Sequence, residues 1–429
     1  MAEKILIRGG RLIDPLTGMD DIRDLFISEG RILGSGPMAA GFVPDRIIEA
    51  QGWVVAPGFV DLCARFREPG LEHKATIQSE SLAGVASGIT TTCIPPDGIP
   101  VTDTPAVAQL IQEIGNERGL MRLRPIGALT RGLKGKDLSE MRALKDAGCS
   151  AVGNGDFPVA NALVLRRSME YAASHDLLVI IRPEDPDLAD QGCAHEGEVA
   201  TRMGLRGIPH AAETVAVAKV LALIEQTGAR VHFSLISSAR SMRSIARARE
   251  KGLKVTADVA IHHLHLTESA LLGFDARCHV RPPFRTEEDR DQLRQGIREG
   301  VLSAICSDHQ PHEPDAKLDA FPSTEPGISS METLLPLMLD LVRAGVFDLK
   351  TGIAALSLGP SRVMGWCESS LECGAVADLV LFDPEETWIV DEQNWLSEGR
   401  NTPFWGQRLK GRVRMTFLGG RCVFERVRN

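Results

Sequence analysis

The middle of this 429-residue chain alternates strand-like and helical segments, and this alternation limits the available folds more than any other feature. Runs typical of strands occur eight times, at 55–62, 89–94, 122–129, 149–153, 177–182, 230–236, 254–259 and 302–307. Helical stretches follow most of them, at 77–87, 105–118, 137–147, 161–175, 213–227, 241–251, 286–300 and 331–344. Eight such alternations predict an α/β fold, a (β/α)₈ barrel.

Local signals mark the ends of two of these helices. Residues 137–140 combine early acidic residues with a start signal, and Gly148 is a typical stop. Thr286 precedes the acidic run 287–289, which is typical of a capped first turn, and Gly300 closes that helix. We therefore expect helices to begin near residues 137 and 286.

Both ends of the chain lack the alternation and carry only short strand signals. Runs such as 24–27 and 378–382 are typical of strands, and Glu29-Gly30 is typical of a hairpin turn. We therefore expect the two ends, residues 1–54 and 366–429, to pair into one small β domain. The barrel then occupies residues 55–365.

Charge and cysteine usage exclude several classes of protein. The chain carries 48 Lys and Arg against 57 Asp and Glu, a net charge of −9, which argues against a general nucleic-acid binder. No apolar run approaches the ~18 residues of a membrane-spanning helix, and the N-terminus lacks the apolar segment of a signal peptide. The nine cysteines never form a CxxC pair. We expect a cytoplasmic protein with reduced thiols and no membrane partner.

In a (β/α)₈ barrel, chemistry occurs where the strands end. The first strand is followed by the motif Arg67-Glu68-Pro69-Gly70, and the last by Asp308-His309-Gln310-Pro311-His312. In this frame the chain resembles dihydroorotases of the cyclic amidohydrolase superfamily, which hydrolyse the cyclic amide of dihydroorotate in pyrimidine biosynthesis. The resemblance covers nearly the whole chain. It implies a barrel of the amidohydrolase type, with a β-sandwich built from both chain ends.

The resemblance also identifies metal-site positions at which this chain differs from the family. The residues that stand in place of the family's metal ligands lie at the ends of strands 1, 4, 5 and 6. They are, in that order, Cys63 and Arg65, Asn154, Arg182, and Leu235. A small shift in the alignment of the loops around strands 4 and 5 would place Asp156 or Pro183 at these positions. Neither residue restores the set of metal ligands. Only the strand-8 carboxylate, Asp308, remains.

These replacements oppose metal binding on physical grounds. Zinc takes thiolate, neutral imidazole or carboxylate ligands, whereas arginine keeps its proton and has no acceptor lone pair. Cys63 and Asp308 are two ligands, fewer than the three of a catalytic zinc. Without a metal, water keeps its pKa near 15.7 instead of about 7, and the hydroxide nucleophile is missing. We expect no bound metal, no cofactor and no catalytic residue.

The substrate pocket that the resemblance implies is only partly retained. Arg67 matches the arginine that binds the substrate carboxylate, and we interpret it as vestigial. A carboxylate-binding asparagine of the family is replaced by Pro96, and another pocket asparagine by Arg281. Glu325 adds an acidic group near the anionic ligand. Arg65, Arg67 and Arg182 together also suggest a weak site for a carboxylate or phosphate.

Several site residues have structural interpretations. We expect Asp308 to be the counter-ion of Arg65 and Arg182, and Asp61 to be structural, paired with an arginine. We expect Cys63 to be a pocket-lining thiol, because no base partner is evident. The histidines near strands 7 and 8 lack a zinc spacing, and we interpret them as structural: His262, His263, His265, His309 and His312.

Three functions remain open. The first, which the resemblance favours, is a non-catalytic dihydroorotase homologue, a pseudoenzyme that assembles with aspartate carbamoyltransferase and supports its activity. The second is an active hydrolase with an altered site, a single metal on Cys63, Asp308 and one histidine. The third is a non-catalytic homo-oligomeric scaffold similar to inactive dihydropyrimidinase relatives. A homo-oligomer is expected in any case.

Overall fold

The computed structural model describes residues 3–37, 41–118, 120–367 and 369–427. The predicted barrel is present, and each of its eight strands overlaps a predicted segment. The barrel strands 1 to 8 are, in chain order, Phe59–Asp61, Ile89–Ile94, Arg122–Pro125 continued by Gly127–Ala128, Ala151–Gly153, Leu178–Ile181, Val231–Phe233, Val255–Ala260 and Ala304–Cys306. Neighbouring strands in this series pair in parallel, as a (β/α)₈ barrel requires.

The ring closes between barrel strands 1 and 8. Ala64 forms a parallel bridge with His309, and the amide nitrogen of Arg65 donates to the carbonyl oxygen of His309 over 2.8 Å. This closure brings the residues after strand 1 beside those after strand 8. The side chains of Arg65 and Asp308 therefore share one end of the barrel.

All eight predicted helices are found. They are Ile77–Ala86, Pro105–Arg118, Met141–Asp146, Ala162–Ser174, His210–Thr227, Ala239–Glu250, Glu287–Arg298 and Leu334–Arg343. The start expected at Asp137 was wrong by four residues, because Leu138 bridges to Thr130 and the chain is still extended there. The start expected at Thr286 is confirmed, since its side chain and that of Asp289 form a reciprocal capping box.

Short elements that the alternation does not predict fill the connections after barrel strands 5 and 8. After strand 5 lie two small helices and a two-stranded pair: Pro186–Ala189, Ala194–His195, Glu198–Met203 and Gly207–Ile208. After the last predicted helix come two more helices, Leu349–Leu356 and Leu358–Met364. Single 3₁₀ turns occur at Arg131–Leu133, Ile261–Leu264, Glu268–Leu271, Ala276–Cys278, Pro314–Lys317, Phe321–Ser323 and Met331–Thr333.

Strands from both chain ends join in one sheet of eight, here called the terminal sheet. Its strands are Ile5–Asp14, Met19–Ser28, Arg31–Ser35, Arg46–Glu49, Val54–Pro57, Leu379–Ile389, Arg408–Leu418 and Arg421–Glu425. The two ends meet where Val54–Pro57 pairs antiparallel with Leu379–Ile389. The predicted strand 55–62 is therefore two strands, one in this sheet and one in the barrel.

The terminal sheet curves back on itself around its own core. Arg31 near one edge forms a bridge with Val376, and Arg46 forms an ion pair of 2.7 Å with Glu425 on the far strand. Side chains from both chain ends fill the interior, including Ile5, Leu25 and Phe417. Hydrogen bonds thus connect the expected sandwich into a single curved sheet. None of the helices in the described ranges combines the length and apolar composition needed to cross a bilayer.

Candidate functional site

Most of the site residues named from the sequence lie close together at the carboxyl end of the barrel strands. A cavity of about 30 Å³, enough for one or two water molecules, is lined by Cys63, Arg65, Arg182 and Leu235 among others. Asp308 reaches the same place from strand 8, because the ring closes between strands 1 and 8. The site is therefore built from residues at the ends of strands 1, 2, 4, 5, 6 and 8.

Arg65 is the central cation of this site. Its guanidinium contacts three carboxylates: Asp97 at 2.7 Å, Asp156 at 2.9 Å and Asp308 at 3.5 Å. Burial by itself lowers the pKa of Arg65, but Asp156 and Asp97 more than offset it, so the pKa is raised. The expected ion pair between Asp308 and Arg65 is present.

Arg182 does not pair with Asp308, and that expectation was wrong. Its guanidinium contacts Asp156 at 2.9 Å and Glu184 at 3.3 Å instead. Glu184 in turn accepts from Arg281, with Nε to Oε2 at 2.9 Å. Asp156 lies on the loop after strand 4 and Glu184 on the loop after strand 5. Both carboxylates lie within ion-pair distance of Arg182, and Asp308 does not.

The result is a chain of alternating charges, here called the arginine network. Three guanidiniums and four carboxylates take part, in the order Asp308, Arg65 with Asp97, Asp156, Arg182, Glu184 and Arg281. Burial raises the pKa of Asp156, but Arg65 and Arg182 outweigh it, and the pKa is lowered. Each of the three guanidiniums in the arginine network therefore has a carboxylate partner, without which it would be costly to bury.

Three buried ionisable side chains, Asp308, Cys63 and His262, lie close together beside Arg65, and burial favours the neutral form of each. Burial raises the pKa of Asp308 to about 7, although Arg65 lowers it. Burial and the neighbouring Asp308 raise the pKa of the Cys63 thiol well above its usual value. Burial and the adjacent His263 lower the pKa of His262 well below its usual value. At neutral pH Cys63 is thus a thiol rather than a reactive thiolate, in keeping with a lining role.

These donors do not fit zinc. Cys63 Sγ lies 3.7 Å from Asp308 Oδ1, and His262 Nε2 lies 3.9 Å from Asp308 Oδ2, so the three side chains converge. However, Arg65 Nη1 lies 3.8 Å from the same sulfur and 3.5 Å from the same carboxylate oxygen. A divalent ion about 4 Å from a guanidinium is repelled by about 8 kcal/mol at an effective dielectric of ~20. Within the described ranges, no group of three or more histidine, cysteine, aspartate or glutamate side chains is arranged to hold a metal ion.

Asp61, Asn154 and Leu235 have structural surroundings. Asp61 does not pair with an arginine as expected; its carboxylate accepts from the amide and hydroxyl of Ser307 and from the amide of Cys63. The Asn154 amide bonds to Thr130 and to the carbonyl oxygen of Phe157 at 2.7 Å. Leu235 is buried in the cavity wall with a φ of 60°. These side chains fix the ends of their strands.

Arg67 is the one site arginine without a carboxylate partner among the described residues. Its Nε donates to the carbonyl oxygen of Pro311 at 2.9 Å, and Nη2 lies 3.1 Å from His312 Nε2. Burial and the nearby Arg65 lower the pKa of Arg67 to about 10. Glu325 is held by Lys74 at 2.8 Å. Since carboxylates neutralise Arg65 and Arg182, the three arginines do not form the shared anion site that the sequence suggested.

The other histidines bind neighbouring parts of the chain. His309 Nε2 lies 2.6 Å from Glu80, and its Nδ1 accepts from the amide of Ser330. His263 and His265 reach backbone carbonyl oxygens. Each of these contacts holds a loop to another part of the chain, which is consistent with a structural role for these three histidines.

Sequence reasoning missed two acids of the arginine network. Asp97 lies on the loop after strand 2, and Glu184 on the loop after strand 5. The signal for both was indirect: three arginines near a barrel end need carboxylates nearby. Which acids meet them depends on how separate loops fold over one another, and spacing along the chain does not contain that information.

Comparisons with known proteins agree on one family. A family described as Dihydro-orotase-like matches residues 52–241. A "Dihydroorotase-like protein" of Pseudomonas putida is 50% identical over 97% of this chain and 98% of its own length. One of Pseudomonas aeruginosa is 49% identical over 98% and 99%. A "Dihydroorotase" of Syntrophus aciditrophicus is 39% identical over 98% and 99%.

The fold has solved counterparts. The L-hydantoinase (dihydropyrimidinase) of Arthrobacter aurescens superposes with a TM-score of 0.89 at 21% identity, covering 99% of this chain and 96% of the hydantoinase. At this identity the likeness concerns the fold alone. The likeness supports the amidohydrolase-type fold, in which the barrel is joined to the terminal sheet.

Proposed function

The chain belongs to the dihydroorotase-like family, and on that premise we propose that it is a member without hydrolase activity. It belongs to pyrimidine metabolism through this family. Its role is to assemble with aspartate carbamoyltransferase and to support the activity of that enzyme. The partner rests on the resemblance to non-catalytic dihydroorotase homologues.

The observation that supports loss of catalysis most strongly is the position of the Arg65 guanidinium. It lies 3.5 Å from Asp308 and 3.8 Å from Cys63, the two remaining donors at the family's metal positions. A fixed positive charge there repels a metal ion and supplies no hydroxide. Hydrolysis of a cyclic amide needs such a nucleophile, so the geometry supports a role without turnover.

Metal content and turnover test the first part of this proposal. We expect far less than one metal ion per chain by mass spectrometry of untagged protein, purified without chelators from cells grown with zinc. We also expect no hydrolysis of dihydroorotate, with a metal-containing dihydroorotase as the positive control. One or two metals per chain together with turnover would favour the alternative, an active hydrolase using Cys63, Asp308 and His262.

Co-purification tests the second part. The chain is expressed with aspartate carbamoyltransferase from the same genome, and each protein is also purified alone. We expect the two to elute together, and the transferase to lose activity or its assembly state when it is alone. A fully active transferase that never co-elutes with this chain would contradict the partner assignment. A stable homo-oligomer in that case would favour the scaffold alternative.

A further inference from the structure

One barrel helix carries a row of unpaired positive charges on its outer face. Helix Ala239–Glu250 has exposed arginines at positions spaced by three or four residues, and Lys251 continues the row at the helix end. We define the basic stripe as Arg240, Arg243, Arg247 and Lys251. Side chains at such spacing share one helix face, and the row is about 16 Å long.

The opposite face of this helix fixes its orientation. Met242, Ile245 and Ala248 are buried against the barrel, so the basic stripe faces outward. Arg249, by contrast, donates to the carbonyl oxygens of Gly300 and Val301. It has a structural role and is not part of the stripe.

Other outer helices of the barrel pair several of their arginines with acids on the same helix, whereas the arginines of the stripe have no such pairs in the described ranges. Ion pairs three or four residues apart join Arg142 to Asp146, Arg166 to Glu170, Arg290 to Glu287, Arg294 to Asp291, and Arg343 to Asp340. Helix Ala239–Glu250 has one acid, Glu250, at its end. Within the described part of the chain, no carboxylate forms an ion pair with a residue of the stripe. The stripe is therefore a local excess of positive charge in a chain of net charge −9.

This arrangement costs the isolated protein stability. Like charges three and four residues apart repel one another along a helix. Arg240 lies in the first turn, where the helix dipole is positive and favours acids instead. A surface optimised for solubility alone would place acids there, as helix Glu287–Arg298 does.

We propose that the basic stripe is a docking surface for an acidic face of a partner protein, one that presents a row of Asp or Glu carboxylates. Charge complementarity carries this proposal. Nucleic acid fits less well, because the whole chain is acidic and no aromatic side chain lies in 239–254 for base stacking. A membrane fits less well, because no large apolar side chain is exposed in 239–254. The proposal does not depend on the function proposed above.

Neutralising the stripe tests this inference. The variant R240Q/R243Q/R247Q keeps good helix formers, so the full chain should fold, which a thermal melt checks. The control R142Q/R206Q/R400Q removes the same charge from exposed arginines that have acidic partners. The probe is fluorescein-labelled poly-L-glutamate at low salt, and binding is measured by anisotropy. We expect the stripe variant to bind about tenfold more weakly than the wild type, and the control within about twofold.

Three results would overturn the proposal. Polyglutamate binding that is absent, or equal in the wild type and the stripe variant, would show that the stripe does not recognise carboxylates. Tighter binding to a 20-base-pair DNA, on the order of the length that one protein face contacts, or to phosphatidylserine vesicles would assign the stripe to another class of partner. Self-association of the wild type that the stripe variant lacks would assign it to a contact between copies of this chain.

Discussion

At the scale of single residues, Arg65 decides the chemistry of the site. The resemblance identified it at a position where the family has a metal-binding histidine, and elementary chemistry excluded it as a ligand. The structure shows the expected partner Asp308 and adds two carboxylate partners that the sequence did not reveal, so that three different loops supply the partners of Arg65. Two of those partners, Asp97 and Asp156, lie close to Arg65 only because their loops fold over the barrel mouth.

Replacing Arg65 should destabilise the whole domain. Arg65→Met leaves Asp97, Asp156 and Asp308 without their shared cation, and removing one member of a buried ion pair costs about 3–5 kcal/mol. Urea unfolding measures the loss. Arg142→Met is the matched control, because its exposed pair with Asp146 is screened by solvent and contributes little to stability. A loss in Arg65→Met no larger than that of the control would mean that the network contributes no stability.

Asp308 should make stability depend on pH. Its pKa rises on folding from an ordinary 3.8 to about 7, so the folded state holds a proton that the unfolded state releases between these values. The stability of the wild type relative to Asp308→Asn should therefore fall as pH rises from about 4 to 7 and then level off. Urea unfolding of both proteins at several pH values gives the difference. A difference that is independent of pH would place the folded pKa near its ordinary value.

At the scale of elements, strands and helices were predictable and the loops between them were not. Hydrophobic runs and capping residues reflect local interactions, so the eight barrel strands and the capped start at Thr286 follow from the sequence. The late start at Met141 depends on a bridge from Leu138 to Thr130, a contact between loops. The small helices after strand 5 are too short to show a repeating hydrophobic pattern, so the sequence did not predict them.

The loop that delivers Asp97 depends on a close contact with Gly70. A Cβ on Gly70 would lie 1.8 Å from the carbonyl oxygen of Ile99, and the φ of Gly70 is 97°. Gly70→Ala should therefore displace the loop and destabilise the protein by about 2 kcal/mol or more in urea unfolding. Gly18→Ala is the control, since it has a similar positive φ and no atom within 4 Å. Equal losses in the two variants would show that only backbone strain matters at Gly70.

At the scale of the whole molecule, the fold was predictable because two independent patterns agree. The alternation predicts the barrel, and the strand signals at both ends predict a unit that they share. The sequence did not reveal that the shared unit is one continuous sheet, or that it takes over the first part of the strand predicted at 55–62. Those features depend on pairing between distant segments.

The stability of the whole protein should not respond to metal or chelator. A ligand that binds the folded state raises the melting temperature with concentration, and one that does not bind leaves it unchanged. With Arg65 between the remaining donors, we expect the same melting temperature with excess EDTA, with zinc, and with neither. A metal-containing dihydroorotase, melted in parallel, is the positive control. A rise with zinc that EDTA reverses would contradict the assignment of the site.

The terminal sheet also has a consequence for the order in which the chain is made. Val54–Pro57 leaves the ribosome early, yet its partner strand Leu379–Ile389 is synthesised more than three hundred residues later. The early strand can pair at once with Ile5–Asp14, but its other edge stays open while the barrel completes most of its local pairings, since nearby contacts form before distant ones. A nascent chain stopped before residue 379 should hold a largely formed barrel with a protease-sensitive N-terminal segment, and synthesis of the last strands should protect that segment.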